Sequence, residues 1–322
     1  METTFTRLLG LRVPLQLAGM GSILSPELAA AVSNAGGLGQ LTFAGVPVDM
    51  AEERLARLRT LTSRPFGINL LIPYFDEQIF ALALRHARVI DFFWGDPDPS
   101  LVRRVHDAGA LASWQVGTVE EAEAAEAAGC DFIIAQGIEA GGHLRGTLGL
   151  FPLLGYVLEC VSVPVLGAGG IGTSHSVAAV LATGAAGVRV GTRFIAAQES
   201  NAHPDYVRAL IAARAEDSVR TELFHVGCPL CPATKGVLRS AIDAATAFHG
   251  DVVASVEIRG QRREFQRFQG TPPFKGITGR VDAMALYAGQ SVGAVERVQP
   301  AAEIVEELFA PIAAKELEAA TA

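Results

Sequence analysis

A histidine follows two glycines in the stretch Phe132-Ile-Ile-Ala-Gln-Gly-Ile-Glu-Ala-Gly-Gly-His-Leu-Arg-Gly146. An imidazole in a glycine-flanked loop after an apolar run can exchange a proton near neutral pH, which makes His143 the candidate acid–base group. Glu139 is a second candidate base, although a loop carboxylate more often serves a structural or salt-bridging role. The remaining histidines carry less. His86, His106 and His249 fall in helical stretches, His175 lies beside a glycine loop, and His203 and His225 have no evident partners.

Two further stretches suit an anion. Val165-Leu-Gly-Ala-Gly-Gly-Ile-Gly-Thr-Ser174 reads as a strand, a glycine loop and a helix start near Thr173. Val188-Arg-Val-Gly-Thr-Arg-Phe194 reads as a strand ending at Gly191-Thr192. Backbone N–H groups at such turns, with a helix N-terminus behind them, hold phosphate. The ends of the other apolar runs offer mainly amides: Gln16, Asn69, Gln115 and Gln136. Amides supply donors and acceptors together and suit the edge of an uncharged heterocycle.

No carboxylate or histidine cluster has metal-ligand spacing, so no metal is expected. Cys228-Pro-Leu-Cys231 has the look of a redox or zinc pair, but no second cysteine pair exists and His225 alone does not complete a set. Cys130 and Cys160 read as free thiols in structured stretches.

What must position these groups is a series of eight apolar runs, at 13–18, 38–43, 66–70, 89–93, 111–115, 132–136, 163–168 and 187–190, separated by helical segments. One such helix starts at Thr118, with Glu121 three residues on, and stops at Gly129. Another starts at Ser25-Pro26. Eight strand–helix units with the richest glycine loop after the seventh strand predict a TIM (β/α)8 barrel rather than an open doubly wound sheet. On this reading residues 1–200 form the barrel. Residues 201–280 form a small, mainly helical insertion, with helices over 204–215 and 241–249 and a charged stretch at 259–267. Residues 281–322 return to the barrel as a helix pair near 282–289 and 301–317. The formal charge of −8 and scattered basic residues argue against nucleic acid, and no apolar run is long enough to cross a bilayer, so the expected location is the cytoplasm. Thirteen of the 34 glycines lie between Gly137 and Gly191, which places the tight loops on one barrel face.

Ala18-Gly-Met-Gly21, Ala35-Gly-Gly-Leu-Gly39, Phe66-Gly-Ile-Asn-Leu70, Ala135-Gln-Gly-Ile-Glu-Ala-Gly-Gly-His143, Gly167-Ala-Gly-Gly-Ile171 and Leu286-Tyr-Ala-Gly-Gln290 together resemble the nitronate monooxygenase (2-nitropropane dioxygenase) family, closest to its class I branch. The resemblance implies non-covalent FMN and oxidation of alkyl nitronates by O2 to a carbonyl compound and nitrite. It implies that the FMN phosphate lies on Gly169, Gly170, Gly191 and Thr192. Met20, Gly21, Asn69, Gln115, Gln136, Gly141 and Gly142 would line the flavin, with Gly167 and Ala168 beside them, and His143 would be the active-site base. Related FMN barrels reduce enoyl thioesters or quinones with NAD(P)H, which is the alternative reading, and a homodimer is the family-level expectation. A barrel that only senses a phosphorylated metabolite is a third reading. The sequence departs from the family where Leu144 separates His143 from Arg145, and where Cys228-Pro-Leu-Cys-Pro232 replaces a Gly-Arg-Pro or Gly-Trp-Pro segment.

Overall fold

The computed structural model describes the backbone of residues 1–321 and side chains as far as Ala314. Strands β1 (Leu15–Leu17), β2 (Gly39–Thr42), β3 (Phe66–Leu71), β4 (Val89–Phe93), β5 (Leu111–Val116) and β6 (Phe132–Gln136) follow one another. After β6 comes a two-residue strand, β7 (Gly142–His143), then β8 (Val165–Ala168) and β9 (Gly187–Val190). All but β7 pair in parallel in the order β1-β9-β8-β6-β5-β4-β3-β2. Leu17 N donates to Leu38 O and Leu38 N to Leu15 O, which joins the first strand to the second and closes the barrel. The eight expected strands are therefore all present, with helices between them. Caps fall where the residues indicate: Thr118 Oγ1 accepts from Glu121 N and Ser25 Oγ from Leu28 N.

Interior and exterior faces alternate as the pleat requires. Leu166 and Ala168 of β8 join Phe5, Leu38, Val89, Phe132 and Ile134 in an apolar floor, plugged from below by the N-terminal helix Thr4–Leu9. A larger apolar cluster lies between the barrel and its helices. Burying one leucine-sized side chain in such a layer is worth about 1.5–3 kcal/mol.

A second core, led by Tyr206, Phe224, Val237, Phe265 and Leu286, belongs to the chain after the barrel strands. The expectation of a mainly helical insertion is corrected here. Besides the helices Pro204–Ala212 and Arg239–Ala247, the segment contains β10 (Ser218–Thr221), β11 (Lys235–Leu238), β12 (Val252–Ile258), β13 (Gln261–Gln266) and β14 (Thr278–Gly279). The charged 259–267 stretch is the turn and return strand of a hairpin: Arg259 and Gly260 both have positive φ, and β13 buries only Phe265. The expected helix at 282–289 is also absent; a single 3₁₀ turn, Val281–Ala283, leads into extended chain. Val281, Leu286, Val292 and Val295 pack in the second core, so that unit extends past residue 280. Only the helix Ala301–Thr321 returns to the barrel, through Ala301, Ile304 and Leu308. Among the described residues no helix is long and apolar enough to cross a membrane.

Candidate active site

Above the apolar floor the barrel interior turns polar. Asp91 on β4 and Arg189 on β9 lie on strands that are not neighbours, so their ion pair spans the interior, at 2.6 Å and with both side chains essentially unexposed. Asp91 also accepts from Ser113 Oγ at 2.9 Å, Asn69 Nδ2 at 2.8 Å and Gln40 Nε2 at 3.3 Å. Arg189 donates to Gln115 Oε1 at 2.5 Å and to Gln16 Oε1 at 3.3 Å. A buried charge is costly unless it is paired and hydrogen-bonded, and both charges here are. The amides expected to face a ligand are thus anchored first to the barrel: both ends of Asn69 are engaged, Oδ1 by Thr42 Oγ1. Gln115 has its carbonyl held by Arg189, which leaves its NH2 group free of any partner among the described residues.

The glycine loops converge at the C-terminal ends of the strands, as in barrel enzymes generally. Gly169 and Gly170 adopt φ of +115° and +69°, a backbone only glycine takes without strain. Gly141 packs against the segment carrying Tyr287: a Cβ there would lie 2.6 Å from Gly289 N. Gly289 N in turn donates to Thr192 Oγ1 at 3.1 Å. Gly191 lies against Ala18 and Met20, so the loops after β1, β6, β8 and β9 meet at one place. The helix Ser174–Ala182 starts beside them, capped by Thr173. Backbone N–H groups and a helix N-terminus beside a turn of bare glycines fit a phosphate. Gly167 and Ala168, expected in the same lining, offer it backbone only. The side of Gly167 that would carry a Cβ faces Leu154 and Val180 of the helix layer, and Ala168 is buried at the top of the apolar cluster, level with Gln136 and Arg189.

His143 is held from two sides. β7 pairs antiparallel with β11, setting His143 opposite Lys235 and Gly142 opposite Gly236. From the barrel, Gln136 Nε2 donates to His143 O at 3.1 Å, so Gln136 positions the loop. The imidazole lies between Trp94 and Tyr287, with ring centroids 5.9 and 5.8 Å away. Its Nε2 is 3.2 Å from Cys228 Sγ, while Nδ1 has no hydrogen-bond partner among the described residues. Burial, followed by the charge of Lys235, pushes its pKa down to about 4, so the ring is neutral at ordinary pH. Lys235 is fully buried and has no carboxylate partner among the described residues; its Nζ donates to Ala233 O at 2.7 Å. Tyr287 donates its hydroxyl to Gly270 O, and burial holds its pKa well above the usual phenol value.

Glu139 is not aimed at the histidine. Its carboxylate accepts from Leu150 N at 3.0 Å and caps the helix Leu150–Cys160, whose own N-cap, Gly149, has no side chain to offer. His106 pairs with Asp131, and His203 caps Pro204–Ala212. Sequence reasoning missed Asp91, Arg189 and Lys235. The signal for the first two was a lone charge inside an apolar strand, Val-Ile-Asp-Phe-Phe and Gly-Val-Arg-Val.

A closed parallel barrel with a phosphate-suited cradle beside a neutral histidine is the arrangement of an α/β-barrel oxidoreductase, and the relatives agree. A model of the family described as nitronate monooxygenase matches residues 2–80 and 74–310. A probable nitronate monooxygenase of Staphylococcus aureus is 30% identical over 78% of this chain and 82% of its own. The chain belongs to the nitronate monooxygenase family. Among solved structures, a nitroalkane oxidase from Streptomyces ansochromogenes superposes with a TM-score of 0.77 at 30% identity, and FabK from Thermotoga maritima with 0.79 at 27%, each covering 99% of both chains. A Rhodococcus jostii (3aS,4S,5R,7aS)-5-hydroxy-7a-methyl-1-oxo-octahydro-1H-indene-4-carboxyl-CoA dehydrogenase is 37% identical over 216 residues, which are 66% of this chain and 60% of that protein.

Proposed function

We propose that the protein is an FMN-dependent enzyme that oxidises alkyl nitronates, and the nitroalkanes that yield them, with O2 to a carbonyl compound and nitrite. The observation that carries the reading is the neutral, aromatic-flanked His143 in the same loop cluster as a glycine cradle whose Gly169 and Gly170 hold positive φ. Gly169, Gly170, Gly191 and Thr192 would hold the phosphate. Met20, Gly21, Gln115 and Gly141 would border the flavin, with Asn69 behind them and Gln136 and Gly142 supporting from the histidine loop. When bound, FMN supplies the two-electron acceptor and the reaction with O2.

The chain's own part is proton handling and charge. With the Nε2 proton directed at the Cys228 sulfur, Nδ1 keeps its lone pair and takes the α-proton of a neutral nitroalkane. A conjugate acid near pH 4 makes His143 available but weakly basic, so an already ionised nitronate suits the site better than its neutral parent. The buried ammonium of Lys235, with no acidic partner among the described residues, favours the same anion. Trp94 and Tyr287 keep water from the imidazole. The purified protein should be yellow, consume O2 with a nitronate and release nitrite; a flavin-loaded protein that releases none would sink the reading.

The direction of the histidine shift gives a pH profile. Below about pH 4 the ring is protonated and Nδ1 has no lone pair; above it the base is competent. Turnover of a nitroalkane should therefore hold level between about pH 5 and 7, where an ordinary histidine, titrating near 6.5, would already be losing activity. Lys235→Met removes one of the two causes of the shift and should move the acid limb upward. The cradle can be tested separately. A methyl at Gly141 collides with Gly289 N, so Gly141→Ala should weaken FMN retention on gel filtration by at least tenfold while the fold stays intact by circular dichroism.

A second reading rests on the 37% identity to a CoA-thioester dehydrogenase: the same scaffold could pass electrons between NAD(P)H and an enoyl thioester or quinone. Rapid anaerobic bleaching of the flavin by NADPH or NADH would favour it, whereas bleaching only by a nitronate favours the oxidase reading.

A further inference from the structure

Cys231 has no part in the mechanism above and Cys228 enters it only as the partner of the His143 Nε2 proton, and sequence spacing left the pair without a third ligand. The fold supplies one from 85 residues away. A ring nitrogen of His143 and the two Sγ atoms all lie within 4.8 Å of one another, with His143 Nε2 to Cys228 Sγ at 3.2 Å. We infer that His143, Cys228 and Cys231 form a binding site for a thiophilic divalent cation, with Zn2+ as the reference ion.

Zn–N of about 2.0–2.1 Å and Zn–S of about 2.3 Å in a tetrahedron put neighbouring ligand atoms roughly 3.5–3.8 Å apart, a spacing these three reach by small side-chain rotations. The loop is built for two sulfurs. Gly227 has φ of +66° and Cys231 N donates to Cys228 O at 3.2 Å, which folds the loop so that both sulfurs lie on the side of His143. Lys235, paired across the strands with His143, is buried with no carboxylate partner among the described residues, and thiolates on the metal would supply the balancing charge. Two sulfurs and one nitrogen leave the fourth position open to water or an anion.

The ion would take the Nε2 lone pair and so move the imidazole proton to Nδ1. If Nδ1 is the base, as proposed above, metal binding silences it without filling the space meant for substrate. Binding itself does not depend on that reading.

The test uses the full-length, flavin-loaded protein, reduced with a phosphine, desalted and titrated anaerobically with Cd2+. Difference spectra should show a thiolate-to-cadmium charge-transfer band that saturates at one equivalent and is displaced by Zn2+. Cys228→Ser and Cys231→Ser should each diminish the band and weaken binding by more than the roughly 10–100-fold that loss of a supporting outer group costs. His143→Ala should weaken binding while keeping both thiolates on the metal. No band in protein whose two thiols are demonstrably reduced overturns the site, as does an undiminished band in the Cys228→Ser/Cys231→Ser double variant. If Cd2+ binds as expected and nitrite release from a nitroalkane is unchanged, the metal site stands and His143 is not the base.

Discussion

Replacing His143 with alanine should lower turnover of a neutral nitroalkane by about 10²–10⁴, the range a positioned general base contributes. Turnover of the corresponding preformed nitronate should fall far less, because no carbon-bound proton remains to be removed. The contrast matters more than either number. A general loss of architecture would depress both substrates alike, since the imidazole also fills space between Trp94 and Tyr287. Nitrite release measured with both substrates, together with the flavin spectrum of the variant, separates the cases. Equal losses on the two substrates would remove His143 from proton transfer and leave it a packing role.

The second large effect lies in the barrel interior. Asp91→Ala leaves the Arg189 guanidinium buried without its counter-ion, a change that costs about 3–5 kcal/mol when a buried pair is broken from one side. Ser113, Asn69 and Gln40 lose their shared acceptor at the same time. Urea denaturation should show a clear fall in midpoint, and a loss below about 1 kcal/mol, within the range of an ordinary substitution, would contradict the account. Removing both charges, as Asp91→Leu with Arg189→Met, should recover much of the stability. It should not recover flavin affinity, because Gln115 and Asn69 take their orientation from the pair.

The barrel was legible because each strand is an apolar run bounded by a helix with its own start and stop residues. Thr118, Ser25 and Pro26 act in the structure as their types suggest. The hairpin at 252–266 was not legible. β13 lies with one face in water and buries a single phenylalanine, so Gln-Arg-Arg-Glu-Phe-Gln shows no alternation to read. The glycine loops and His143 could be found locally, since a loop announces itself in adjacent residues. Asp91 and Arg189 could not be paired from the sequence, because nothing short of barrel closure brings β4 and β9 face to face. The same holds for His143 and Cys228, which meet only because β7 pairs with β11. Glu139 was open to either role until the bare N-cap at Gly149 showed what its carboxylate is needed for.

The pairing of β7 with β11 has a mechanical side. β7 leaves the barrel after β6, yet its hydrogen-bonded neighbour is a strand of the second unit, and β11 is in turn joined to β10. The histidine is thus fastened both to the second unit, which covers the site, through β11 and to the barrel through Gln136. Any displacement of the cover against the barrel would carry the imidazole along, so opening the site and withdrawing the base would be one movement. For protein engineering the two units cannot be traded independently: a barrel given another relative's cover would receive, through that short strand, another setting of its own histidine.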